Sequence, residues 1–246
     1  VIRNNPRLHE KNLWSDHGLG DPIEVIQCRD DRHEAETVAM RISAHKFEHR
    51  TRFADYAVLY RGNHQARLVE EALREQKIPY QLSGGQSFFD RAEIKDLVAY
   101  LRLVANQDDD PAFIRAATTP RRGIGAGTLE KLGAHAGQRH VSLFEAAFET
   151  GFQGALPARQ LEPLTEFCDF INRLAFRADK EPAGRLLDEL LAAIHYEEWL
   201  YDTEDDRAAK NKWENVREFV DWLAKKGEED DKTLNELTQT ISLMNL

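Results

Sequence analysis

Residues Tyr56 to Asp96, YAVLYRGNHQARLVEEALREQKIPYQLSGGQSFFDRAEIKD, decide how the chain is organised. Tyr56-Ala57-Val58-Leu59-Tyr60 is a short, apolar, β-prone run, which predicts a buried strand. The run ends in Arg61-Gly62-Asn63-His64. There Asn63 or His64 can cap a helix with apolar positions Leu68, Val69, Ala72 and Leu73. Ile78-Pro79-Tyr80 leads to a second short strand, Ser83-Gly84-Gly85 turns the chain, and Ser87-Phe88-Phe89 follows. From Arg91 a new helix begins, apolar at Ile94, Leu97, Val98 and Leu101. Strand, polar loop, helix, strand is a βαβ unit, and in parallel sheets ligands sit at the carboxyl edge where such a loop lies.

Outward from this stretch the two directions differ. Upstream, Ile23 to Cys28 reads as a further strand, and Asp30 or Asp31 caps a helix from about Arg32 to Glu48. Three strands are too few for a complete parallel sheet. Downstream, only helices are predicted. One runs to about Asn106, and Asp108-Asp109-Asp110-Pro111 stops it and starts another over Ala112 to Ala117. Arg121-Arg122-Gly123-Ile124-Gly125 is a tight turn before a helix carrying Leu129, Leu132 and Ala136. Longer helices follow over Leu161 to Arg177, Pro182 to Ile194 and around Trp213, Val216, Phe219, Val220 and Leu223, with a last one at Leu234, Leu237 and Ile241. The acidic stretches Asp202 to Asn211 and Gly227 to Asp231 read as solvated loops, and Gly151 to Arg159 as a loop. The fold class is therefore α/β plus all-α, with a boundary near Arg91.

An apolar fraction of 41% supports a packed core and excludes a disordered chain. No apolar run approaches the length of a membrane helix and no signal peptide is visible, so no membrane partner is expected and a reducing cytoplasm is the default. The two cysteines, Cys28 and Cys168, imply no disulfide framework. The net charge of −10 is unevenly spread. Residues 1–90 carry 13 Lys/Arg against 14 Asp/Glu, residues 91–160 carry 9 against 8, and residues 161–246 carry 11 against 21. A nucleic-acid site needs local positive potential, which places it before residue 161.

Leu59-Tyr60-Arg61-Gly62-Asn63-His64-Gln65-Ala66-Arg67, Ile78-Pro79-Tyr80, Gly84-Gly85, Phe88-Phe89 and Glu93-Ile94-Lys95-Asp96 together resemble the Rep/UvrD/PcrA family of superfamily 1 DNA helicases. The likeness continues through Thr119-Pro120-Arg121-Arg122-Gly123-Ile124-Gly125 and Tyr196-Glu197-Glu198-Trp199-Leu200-Tyr201. It implies an incomplete RecA-like parallel βαβ unit, part of a second RecA-like domain over residues 1–91. A mostly helical inserted subdomain over 92–246 would follow. It also implies a fragment of an ATP-dependent 3′–5′ DNA helicase, with single-stranded and duplex DNA and replication-fork proteins as partners. Arg61, Asn63 and His64 would lie along single-stranded DNA. Arg121, Arg122, the Gly123-Ile124-Gly125 hairpin and Thr128 would hold duplex DNA by its backbone, a contact that reads phosphate and not sequence. The residues themselves fit those roles. Arginine's planar fork suits phosphate, and the amides of Gly125 to Thr128 would point from a helix N-terminus toward an anion. Ile124 would anchor the turn.

ATP and Mg2+ belong to the longer helicase and none is expected on this chain, which has no GxxxxGK[ST] motif and is expected to be inactive alone. Phe88 and Phe89 could stack bases, but packing between the two units suits them better. His45 and His49 lack a third metal ligand nearby. Trp199, Trp213 and Trp222 sit in apolar helical frames. The alternative reading is a non-enzymatic helicase-like module that binds DNA or protein.

Overall fold

A computed structural model describes residues 20, 22–61, 63–82 and 87–244. Among them the regular structure is helical. Asp30 accepts from the His33 amide at 2.7 Å and so starts α1 (Asp31–His49). Helix α2 (Asn63–Glu75) packs against it. Their facing residues form a small core of Ala35, Ala39, Ala72, Leu73 and Ile78, flanked by Ile42, Phe53, Leu68 and Val69.

The βαβ reading is corrected here, because no strand forms among the described residues: 22–28, 56–60 and 78–82 are irregular. A β-prone run becomes a strand only when a neighbour completes its hydrogen-bond ladder. Without one the apolar side chains face water, with Ile23 95%, Val25 90% and Leu59 92% exposed. Residues 83–86 and Gly62, in the turns expected there, lie outside the described residues.

A second, larger core starts at Phe88 and Phe89, in a short 3-10 turn at residues 88–90. Both rings are buried and meet Trp222 and Phe219, so they are packed and not offered to bases. Helix α3 (Ala92–Ala105) runs through its centre, buried on nearly every side. Around it lie α4 (Asp110–Thr118), which Asp109 caps with Pro111 in the first turn, and α5 (Ala126–Arg139). Then come α6 (Leu143–Phe148), α7 (Thr150–Gln153) and α8 (Ala158–Arg177), followed by α9 (Ala183–Ala193) and α10 (Tyr196–Thr203). The chain ends with α11 (Asp206–Asp230) and α12 (Leu234–Met244). Helices α4, α8, α11 and α12 contact α3 directly.

Three acidic or polar stretches expected as loops are largely helical. Asp205 caps α11 by accepting from the amides of Arg207 and Ala208 at 3.1 and 2.9 Å, because acids stabilise a helix start. Helix α11 continues through Gly227 to Asp230, and α7 and α8 occupy most of 151–159. Trp222 is buried, while Trp199 and Trp213 pack half-buried against the core. Cys168 is buried and Cys28 half-buried, both as free thiols, and burial pushes the Cys168 thiol up to about 12. No described helix is long and apolar enough to cross a membrane.

The two cores meet along a charged seam between α1–α2 and α11. Glu71, 4% exposed, receives Arg32, Arg67 and Lys226, each at 3.4 Å. Lys226, 5% exposed, also reaches Glu75 at 2.9 Å. Arg67 crosses to Glu218 at 2.8 Å and Arg32 to Glu229 at 2.6 Å. Beside the boundary near residue 91, Arg91 donates to Asn215, whose amide donates to Glu93 at 2.7 Å.

Candidate nucleic-acid interface

The hairpin between α4 and α5 is built from both sides. Gly123 has φ +85, a left-handed conformation that L side chains rarely adopt. The space its Cβ would take lies 3.4 Å from the Pro163 ring of α8, so the turn presses against that helix. Ile124 is 6% exposed and enters the large core beneath. Gly125 then begins α5 with no side-chain cap, so the exposed first-turn residues Ala126 and Gly127 present amides that the helix cannot use. Nothing lies within 4 Å of where a Cβ would stand at Gly125 or Gly127. Bare amides, a positive helix end and open space together make a surface suited to an anion.

Of the flanking side chains, Arg121 is exposed and forms no ion pair among the described residues. Arg122 is half-buried and turns inward. It donates to the Tyr100 hydroxyl and to the carbonyls of Pro120 at 3.3 Å and Thr119 at 3.4 Å. Its guanidinium also lies 5.0 Å from the centre of the Phe167 ring. Thr128 is 3% exposed, so its hydroxyl belongs to the interior more than to the surface. The hairpin thus offers Arg121, Gly123, Gly125 and the first amides of α5, while Arg122, Ile124 and Thr128 face the protein.

At the other candidate tip, Arg61 is exposed, its amide donates to Gln65 Oε1 at 3.2 Å, and it has no ion pair among the described residues. Asn63 and His64 open α2, but their side chains lie outside the described residues. His45 and His49 stack with ring centres 4.2 Å apart, His45 bonds Tyr56, and no group of three metal-type ligands occurs among the described residues. Sequence reasoning missed Tyr100, which is fully buried on α3 and donates to the carbonyls of Thr119 at 2.7 Å and Ala116 at 2.9 Å. The only signal for it was an aromatic in a helix otherwise lined by aliphatic residues.

Residues 1–154 match the UvrD-like helicase C-terminal domain family. The ATP-dependent DNA helicase Rep of Salmonella typhimurium is 43% identical over 249 residues, covering 100% of this chain and 37% of that protein. The ATP-dependent DNA helicase Rep of Escherichia coli is 42% identical with the same coverage. The ATP-dependent DNA helicase PcrA of Staphylococcus epidermidis is 35% identical over 220 residues, 89% of this chain and 30% of the relative. The chain therefore spans 37% of the length of the first of these relatives. Both candidate tips, the one at Arg61 and the α4–α5 hairpin, fall inside the matched residues, and the chain belongs to the UvrD-like helicase C-terminal domain family.

Proposed function

We propose that the chain is the DNA-handling part of an ATP-dependent 3′–5′ DNA helicase and that the α4–α5 hairpin holds duplex DNA by its phosphates. ATP and Mg2+ act elsewhere in the longer helicase. Residues 1–91 are read as part of the second RecA-like domain, with Arg61, Asn63 and His64 toward single-stranded DNA, and 92–246 as the inserted helical subdomain. Two separate apolar cores support that division. The exposed Ile23, Val25 and Leu59 support a sheet completed by other residues of the longer protein.

The observation that carries the reading is the hairpin itself: Gly123 at φ +85, Ile124 buried, and Gly125 with open space above uncapped amides. No base edge needs to be read for such a grip, so binding is indifferent to sequence and steep in salt. Gly125→Leu tests this directly. Its φ of −89 suits any residue and the site above it is empty, so the chain keeps its melting temperature while the side chain stands over the amides. Titration of a short duplex should then show at least roughly tenfold weaker binding, one to two kcal/mol of lost charge-assisted bonding. Arg121→Ala should lower the slope of log affinity against log salt by about one unit. Parental affinity and slope in both variants would remove the hairpin from the interface.

A further inference from the structure

We propose that Arg122, although adjacent to Arg121, is a positioning residue: with Tyr100 it fixes the hairpin that presents Arg121 and Gly125. The assignment rests on the hairpin reading above. In sequence the two arginines are equivalent, and a pair of cations before a glycine turn invites a phosphate role for both. Their surroundings separate them. Arg121 points to solvent without an ion pair among the described residues. Arg122 is spent inside the protein on Tyr100 Oη, the Pro120 carbonyl at 3.3 Å and the Thr119 carbonyl at 3.4 Å. Its guanidinium carbon lies near two rings, 5.0 Å from the centre of Phe167 and 5.6 Å from that of Tyr100.

The carbonyls explain why this arrangement holds. Ala116 and Thr119 belong to the end of α4, where the last carbonyls lack intrahelical partners and the helix dipole is negative. A cation and a phenol collect them: Tyr100 donates toward Ala116 and Thr119, and Arg122 toward Thr119 and Pro120. Turning the guanidinium out to a phosphate would strand the Pro120 carbonyl and take a donor from Thr119. It would also strip a cation from two aromatic faces. The chain therefore leaves α4 from fixed carbonyls, turns at Gly123 and is pinned again by Ile124. Between those two holds, the direction of Arg121 and the α5 amides is set.

The experiment compares four variants of the 246-residue chain on the same short duplex over a salt series: Arg121→Ala, Arg122→Ala, Arg122→Lys and Tyr100→Phe. Arg121→Ala lowers the salt slope by about one unit, as a lost phosphate contact does. Arg122→Ala loses affinity roughly tenfold, from lost preorganisation, with the parental slope. Arg122→Lys keeps the charge but not the fork, so it behaves like the alanine variant. Tyr100→Phe reproduces both, and combining it with Arg122→Lys adds little. Backbone amide NMR signals of Gly125 and Gly127, beyond the immediate sequence neighbours of residue 122, move in the Arg122→Lys and Tyr100→Phe chains but not in Arg121→Ala. That readout stands even where Arg122→Ala fails to fold. A drop of about one slope unit in Arg122→Ala, restored by lysine, would overturn the assignment and make Arg122 a phosphate contact. Unmoved glycine amides in Arg122→Lys and Tyr100→Phe would overturn it too. Loss of the hairpin reading itself would show differently, as parental binding and slope in Arg121→Ala and Gly125→Leu.

Discussion

The hairpin at Gly123–Gly125 and the seam between α2 and α11 both hold charged or polar groups in place, by opposite means. At the hairpin, an aliphatic anchor and aromatic faces fix a backbone, and the charge of Arg121 and the amides of α5 stay open to water. At the seam, the charges themselves are the fastening: Glu71 and Lys226 are 4% and 5% exposed and satisfy each other and their neighbours. In the proposed interface, a group offered to a ligand has no ion pair among the described residues and is positioned from below. A group meant to join two cores is buried with partners on every side. Burying charge costs desolvation, so the seam is strong only while its network is complete.

The sharpest way to break this contrast is to remove one member. Glu71→Ala leaves Arg32, Arg67 and Lys226 facing one another around an emptied carboxylate site. The expected loss is about 3–5 kcal/mol in urea unfolding, the scale for stripping one partner from a buried ion pair. A loss below about 1 kcal/mol would place the seam with ordinary surface salt bridges, and the comparison would fail. At the hairpin, Ile124→Ala removes the anchor without touching any charge. It should cost about 2–3 kcal/mol, the low end for an aliphatic truncation because the site lies at the edge of the core. The same loss at low and high salt is expected there, since no ion pair is involved.

How much of this was legible in the sequence depends on how local its cause is. The caps were readable only to within a residue or so, as Asp30 or Asp31 and as one of Asp108 to Asp110, because a cap and its amide lie within three residues; the structure uses Asp30 and Asp109. The apolar faces of α3 and α11 followed from helical spacing. Strand formation at Tyr56–Tyr60 was not decidable, because β propensity describes a half-buried surface and a ladder needs a partner strand that the local sequence does not reveal. The acidic stretches around Asp205 and Glu229 looked like solvated loops by charge alone. One caps α11, and the other meets Arg32 across 197 residues. In the candidate interface, the need for glycine before a buried isoleucine could be read from Gly123-Ile124-Gly125. The inward turn of Arg122 could not, since its phenol partner sits 22 residues earlier on another helix.

The smallest expected effect sharpens the comparison, because both regions lose stability in alkali for different reasons. In Lys226, burial alone would favour the neutral amine. The hydrogen bond to Glu75 and the fields of Glu71 and Glu75 outweigh it, so the ammonium is held above its ordinary value of 10.5. The folded seam binds that proton more tightly than the unfolded chain does. Its contribution is complete below about pH 10.4, the unfolded lysine value, and is lost as pH climbs through the raised folded value. In Tyr100, burial pushes the phenol well above its ordinary 10.0, against the pull of Arg122. There the unfolded chain ionises first, and stability falls from about pH 10 upward. Lys226→Met keeps the stem beside Trp222 and deletes the seam's share, while Tyr100→Phe deletes the hairpin's share and starts at lower pH. Unfolding free energies measured from neutral pH to above pH 11 should separate the two onsets. Identical alkaline curves for the parent and Lys226→Met would mean that the ammonium is not bound more tightly in the fold. The seam would then owe its hold to packing, as the hairpin does.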